Sequence, residues 1–174
     1  LEEAGFVVDL DDYGGGVNVI GTLPGEGAEA DELILLGAHY DHIAGCDGAD
    51  DNASGVAGAL EAARVLGQAK PRRTIVVACW DQEEVGLKGS KAHAASLPEE
   101  QVVVVVNFDM IGFVDTAPGS QVFTQPLAER FPALAAELSE NKYKADFLAI
   151  TSDPSAESFA LDLEARAEGL GRLA

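Results

Sequence analysis

Four short stretches of this chain carry carboxylates and imidazoles at places where a fold could bring them to one point: His39-Tyr40-Asp41-His42, Asp50-Asp51-Asn52, Asp81-Gln82-Glu83-Glu84 and Asp109. Converging on one edge, they would concentrate negative charge at a cost that a bound cation removes, because imidazole and carboxylate ligands suit divalent metals. His39 and Asp41 are two apart, so on an extended backbone both project to one side, where the carboxylate can hold one ring nitrogen of a metal-bound His. Asp51 lies where the chain turns into a helix, a place that also suits a cap or a first-turn acid. Glu83 and Glu84 diverge as neighbours and can divide labour between a metal ligand and a base directed at water, or serve together as a solvated acidic loop. Asp109 follows five valines and Asn107-Phe108, where a buried unpaired carboxylate would be costly; a hydrogen-bonded strand end is its plainer use.

The elements that must position these groups are legible in the hydrophobic pattern. Alternation and apolar runs predict strands near Phe6–Leu10, Val17–Leu23, Leu33–Ala38, Thr74–Trp80, Val102–Phe108 and Asp146–Ile150. Gly14-Gly15-Gly16 and Pro24-Gly25-Glu26-Gly27 are short turn signals, which fit an antiparallel start to the sheet. From Asn52 the period becomes helical through Val56, Ala59, Leu60, Ala63 and Leu66, and two further helices are expected around Ala128–Leu138 and Pro154–Leu170. This order predicts an α/β fold, a three-layer α/β/α sandwich with a central mixed, mostly parallel sheet, as one domain over residues 1–174. Ligands of such sheets bind beyond the carboxyl ends of the strands, where three of the four acidic groups fall.

Composition narrows the function further. The chain has 174 residues, 47% of them apolar, which suffices for a packed core and excludes an intrinsically disordered chain. Acidic residues outnumber basic ones 30 to 11, and the net charge of −19 would repel nucleic acid and anionic membrane surfaces alike. The longest apolar runs, Val102–Val106 and Ile75–Trp80, fall far short of the roughly 20 residues of a membrane-spanning helix. Two cysteines, Cys46 and Cys79, are too few for a disulfide framework and are expected to be free thiols, Cys79 in the core. The chain starts at Leu1 with no leader, so a processed form or fragment is expected and no compartment is encoded.

The segments Gly37–His42, Gly48–Val56, Glu83–Ser90 and Asn107–Gly112, in that order, resemble the two-zinc aminopeptidases of the bacterial leucyl aminopeptidase type. The similarity is clearest from Val17 to Gly112. It implies a phosphorylase/hydrolase-like zinc exopeptidase fold, with His39 and Asp109 as ligands of one zinc, Asp51 bridging two, and Glu84 on the second. It further implies Glu83 as general base, Asp41 as the partner that orients His39, and a cis bond at Asp51-Asn52. The substrate would be a peptide with a free N-terminus, cut to a free amino acid and a shortened peptide. A secreted or periplasmic location is slightly favoured by the same resemblance.

The chain also departs from that pattern. The family supplies one more His to the second zinc, well after the Asp109 equivalent and commonly in Ser-Asp-His, whereas His39, His42 and His93 all precede Asp109. His42 and His93 read as surface or packing residues. Ser152-Asp153-Pro154 reads either as that Ser-Asp-His with the ligand His become Pro154 or, by preference, as a helix start with Asp153 as cap and Pro154 in the first helical position. The expectation is thus a peptidase domain incomplete at its carboxyl end, holding one or two zinc ions, one of them tightly, and inactive or weakly active. The alternatives are a single-zinc acyltransferase resembling glutaminyl cyclases and a non-catalytic binding or scaffold member resembling transferrin-receptor ectodomains. Retention of His39 with both Asp51 and Asp109 favours the two-metal hydrolase.

Overall fold

In the computed structural model, which describes residues 1–169, segments rich in Val, Ile and Leu form one five-stranded sheet. Its strands are β1 (Val7–Asp12), β2 (Val17–Leu23), β3 (Leu33–His39), β4 (Thr74–Trp80) and β5 (Val102–Asn107), in the order β1-β2-β4-β3-β5. β1 and β2 form an antiparallel hairpin closed at Tyr13–Gly16, where Gly14 supplies the positive φ that the reversal needs. β2 is antiparallel to β4, and β4, β3 and β5 run parallel. The expected antiparallel start therefore holds for β1 and β2 but not for β3, because β4 lies between β2 and β3. Five consecutive residues of β4, Ile75–Cys79, are buried, as befits a strand paired on both edges and covered on both faces.

One face of the sheet packs on α1 (Gly55–Leu66), where Ala59 and Ala63 are buried against Leu36, Ala38, Ile75, Val77 and Phe6. The small side chains let the helix approach the strands closely. Leu60, expected on the apolar stripe, is 40% exposed at its margin. On the opposite face lies α2 (Lys88–Ser96), where Trp80 Nε1–H donates to Nδ1 of buried His93 at 3.2 Å. A Cβ at Gly37 would land in the Trp80 ring, so only glycine fits beneath it. The valine run of β5 does not signify cover on both faces: Val103 and Val105 are about half exposed, while Val106 packs against the α1 core. Cys79 is buried and Cys46 exposed, both as free thiols.

The chain divides after Gly112 into a second compact unit. There the helix expected around Ala128–Leu138 is two, α3 (Gln125–Arg130) and α4 (Pro132–Glu140). Pro132 lacks the N–H and forces Phe131 out of helical geometry, to φ −127° and ψ 68°. The strand expected at Asp146–Ile150 is absent; only an isolated bridge joins Asp115 to Ala145, and alternation alone makes no strand without an edge to pair with. α5 spans Glu157–Gly169, so Pro154 precedes it rather than opening it, and Leu170 lies outside the described residues. Asp153 Oδ1 accepts the Ser155 hydroxyl and the backbone N–H of Ser155 at 2.7 Å and of Ala156 at 3.2 Å; the hydroxyl first, then the two amides, hold its carboxyl below the usual range. Among the described residues no helix is long and apolar enough to cross a membrane.

Candidate metal centre

His39 is the last residue of β3 and is 3% exposed, so its ring is fixed by packing. Nδ1 faces the backbone carbonyl of Asp41 at 3.0 Å, with the Asp41 carboxylate at 3.5 Å. Nε2 faces the Asp51 carboxylate at 3.0 Å and that of Asp109 at 4.0 Å. One ligand atom from each of His39, Asp51 and Asp109 lies within 4.8 Å of the other two, a spacing that fits a single cation.

Asp51 comes from the wide turn Ala49–Ser54 that leads into α1, and its φ of −106° and ψ of 90° are not helical. Its carboxylate makes no cap bond, so the cap reading of this residue is overturned. Asn52 Oδ1 takes that role by accepting the Gly55 N–H at 3.0 Å, which leaves Asp51 free to face His39. The Asp51-Asn52 peptide is cis, as the resemblance implied. Asp109 follows β5 with its side chain 46% exposed, so it is not the deeply buried acid that the valine run suggested. Desolvation raises its carboxyl above the usual range, with further upward pressure from Asp51 and Asp50 and an opposing effect of His39.

The strand end of β4 delivers the second pair of acids. The Asp41 carboxylate accepts the backbone N–H of Glu83 at 2.8 Å and of Glu84 at 3.2 Å, so one side chain ties the β3 end to this loop. Glu83 lines a cleft of about 330 Å³ with His39, Trp80 and Asp109. Desolvation raises its carboxyl, helped by Glu84, Asp109 and Asp41 and opposed by His39. Glu84 Oε1 is buried with no hydrogen-bond donor. Such an oxygen is costly unless paired, and a cation is the partner that its chemistry suits. The donor set of His39, Asp51 and Asp109 therefore fits a single zinc, whereas Glu84 is not among the groups brought within reach of that ion.

Sequence reasoning passed over the residues that hold these ligands in place. Asn52, Ser54 and Asp50 bond the segment after β5; the signal was an Asn and a Ser directly after the acidic pair, at a helix start. Trp80 lines the cleft and is set by His93, whereas His42 is exposed, with Nδ1 against the Ile43 carbonyl.

Residues 18–158 match the family described as Peptidase family M28. The chain is 43% identical over 107 residues to the uncharacterised Escherichia coli protein YfbL, covering 54% of this chain and 33% of that protein. It is 33% identical over 121 residues to leupeptin-inactivating enzyme 1 of Streptomyces exfoliatus, covering 64% of this chain and 27% of the enzyme. The chain thus spans about a third or less of these curated relatives. Among solved structures, an aminopeptidase of Aneurinibacillus sp. strain AM-1 superposes with a TM-score of 0.52 at 34% identity, covering 61% of this chain and 26% of that one.

Proposed function

The chain belongs to peptidase family M28, and from that premise we propose that it carries the catalytic centre of a zinc aminopeptidase that hydrolyses the first peptide bond of a substrate with a free N-terminus. The observation that supports this best is the meeting of His39 Nε2 with the Asp51 and Asp109 carboxylates at the carboxyl edge of the parallel strands. His39, Asp51 and Asp109 would hold one zinc, and Asp51 with Glu84 a second. Zinc bound there would polarise the scissile carbonyl and acidify the attacking water.

The remaining steps belong to the protein's own groups. Glu83, in the cleft beside His39 and Asp109, takes the proton of the water and delivers it to the leaving amine. Asp41 fixes the backbone of Glu83 and Glu84 and, through its carbonyl, the Nδ1 side of His39. The carboxylates crowding the cleft favour the cationic α-amino end of a peptide over its anionic end. Activity of this chain is expected to be weak, because among the described residues a second ion would have only Asp51 and Glu84. A secreted or periplasmic location belongs to the same reading.

Comparison of the zinc-loaded protein with its Glu83→Gln variant tests the assignment. Hydrolysis of leucine p-nitroanilide should fall by about 100-fold or more in the variant while zinc content stays unchanged. Loss of zinc instead would exchange the roles of Glu83 and Glu84, and no zinc-dependent hydrolysis by the parent would contradict the proposal.

A further inference from the structure

Asp51 and Asp109 reach the same imidazole from different parts of the chain, yet among the described residues no side-chain or backbone donor other than His39 bonds to either carboxylate. Two carboxylates that share one neighbour repel each other, so their spacing must come from the backbones that carry them. Those backbones are stitched together. Three successive amides after Asp109 donate to three side chains around Asp51: Met110 N–H to Asn52 Oδ1 at 3.3 Å, Ile111 N–H to Ser54 Oγ at 3.0 Å, and Gly112 N–H to Asp50 Oδ1 at 2.8 Å. Asn52 Nδ2 donates in turn to the Phe108 carbonyl at 2.9 Å. Asn52 therefore holds the chain on both sides of Asp109 while being the sequence neighbour of Asp51.

Asn52 is 1% exposed, and its side chain is saturated on its oxygen, which also accepts the Gly55 N–H at 3.0 Å. That set fixes the amide orientation: turning it over would bring an NH2 against two N–H donors. The approach is close enough that a Cβ at Gly55 would meet both the Asn52 side chain and the Phe108 carbonyl, so glycine is required where α1 begins. Asp would keep an acceptor for both N–H groups but lose the bond to Phe108, and Ala would leave the buried Gly55 N–H and the part-buried Met110 N–H and Phe108 carbonyl without this partner.

We propose that Asn52, assisted by Ser54 and Asp50, is a positioning residue that sets the separation of Asp51 and Asp109 and thereby presets the geometry of the cation site. The proposal rests on the metal-centre reading above. It requires that metal affinity and coordination geometry, not only folding, depend on Asn52.

The test titrates the metal-free protein with Zn2+ against a chromophoric chelator and with Co2+ by its visible absorption. It compares the parent with Asn52→Ala, Ser54→Ala and His39→Ala, and follows the urea midpoint of each metal-free form. Asn52→Ala should weaken Zn2+ binding about ten-fold or more and alter the Co2+ bands, as loss of an outer support does at metal sites. Ser54→Ala, which removes the acceptor of the Ile111 N–H and the donor to the Asp50 carbonyl, should act in the same direction by a few-fold, and it carries the test if Asn52→Ala does not fold. A lower urea midpoint with unchanged Zn2+ affinity and Co2+ spectrum in the folding variants would overturn the proposal and leave only a structural role. If the parent binds neither metal, or binds both equally well without His39, the metal-centre reading fails and this inference with it.

Discussion

Replacing Asp41 by Asn isolates the link between the β3 end and the Glu83–Glu84 loop. The substitution is nearly isosteric, but an amide offers one acceptor where the carboxylate satisfies two amides, Glu83 N–H at 2.8 Å and Glu84 N–H at 3.2 Å. One of them must then face an NH2 group. The side chain is 20% exposed, so water recovers little of the loss, and a hydrogen bond to a charged acceptor contributes about 1.5–3 kcal/mol. The nearest partner of His39 Nδ1 is the Asp41 carbonyl, which the substitution leaves in place, while the carboxylate stands off at 3.5 Å, so the effect travels chiefly through the loop. Zinc affinity is expected to fall about 10–100-fold, the range seen when an outer support of a metal site is lost. At about 1.4 kcal/mol per decade this matches the cost of one such bond. Chelator competition measures the affinity, and urea unfolding of the metal-free form measures the stability. An Asp41→Asn protein with parental zinc affinity and parental stability would refute the reasoning.

Two further outcomes follow from packing and burial. Gly37→Ala places a methyl into the Trp80 ring and should destabilise the fold by about 1–3 kcal/mol in urea; an unchanged midpoint would contradict the packing described. Burial lowers the pKa of His93 below its ordinary value, with Asp11 opposing weakly. The unfolded chain therefore takes up a proton at about pH 6.5 that the folded chain resists, so stability is lost as pH falls from about 6.5 through the lowered folded value. His93→Gln keeps an acceptor for Trp80 and removes the titration. The difference in urea midpoint between parent and variant should be constant at pH 7–8 and shift in favour of the variant toward pH 5, whereas parallel curves would contradict it.

How much of this was legible in the sequence depends on what each signal was made of. The five strands of the sheet were readable because β-branched runs bounded by Gly and Pro are a local signal, and the acids fell at strand ends because parallel strands face their ligands there. The place of β4 between β2 and β3 was not readable, since pairing is decided by which strand profits most from full cover. The break at Phe131–Pro132 was overlooked although Pro132 announces it. The strand at Asp146–Ile150 failed for want of a partner edge. At the site, the residue types were visible in the motifs, and Asp51 faces His39 as the resemblance implied, but the bond that Asn52 makes at the start of α1, where a cap by Asp51 was the plainer alternative, was not visible. The stitch from Asp50, Asn52 and Ser54 to Met110, Ile111 and Gly112 spans about sixty residues of sequence and exists only once β5 lies beside β3.

Zinc content per chain after removal of weakly held metal tests the central claim most directly, with the parent beside His39→Ala and Asp109→Asn. In the proposed site His39, Asp51 and Asp109 bring three ligand atoms within reach of one ion, while a second would have Asp51 and Glu84 alone among the described residues. The account predicts about one tightly held zinc per parent chain and little or none in either variant. Two tightly held ions in the parent, none at all, or full retention without His39 would contradict it.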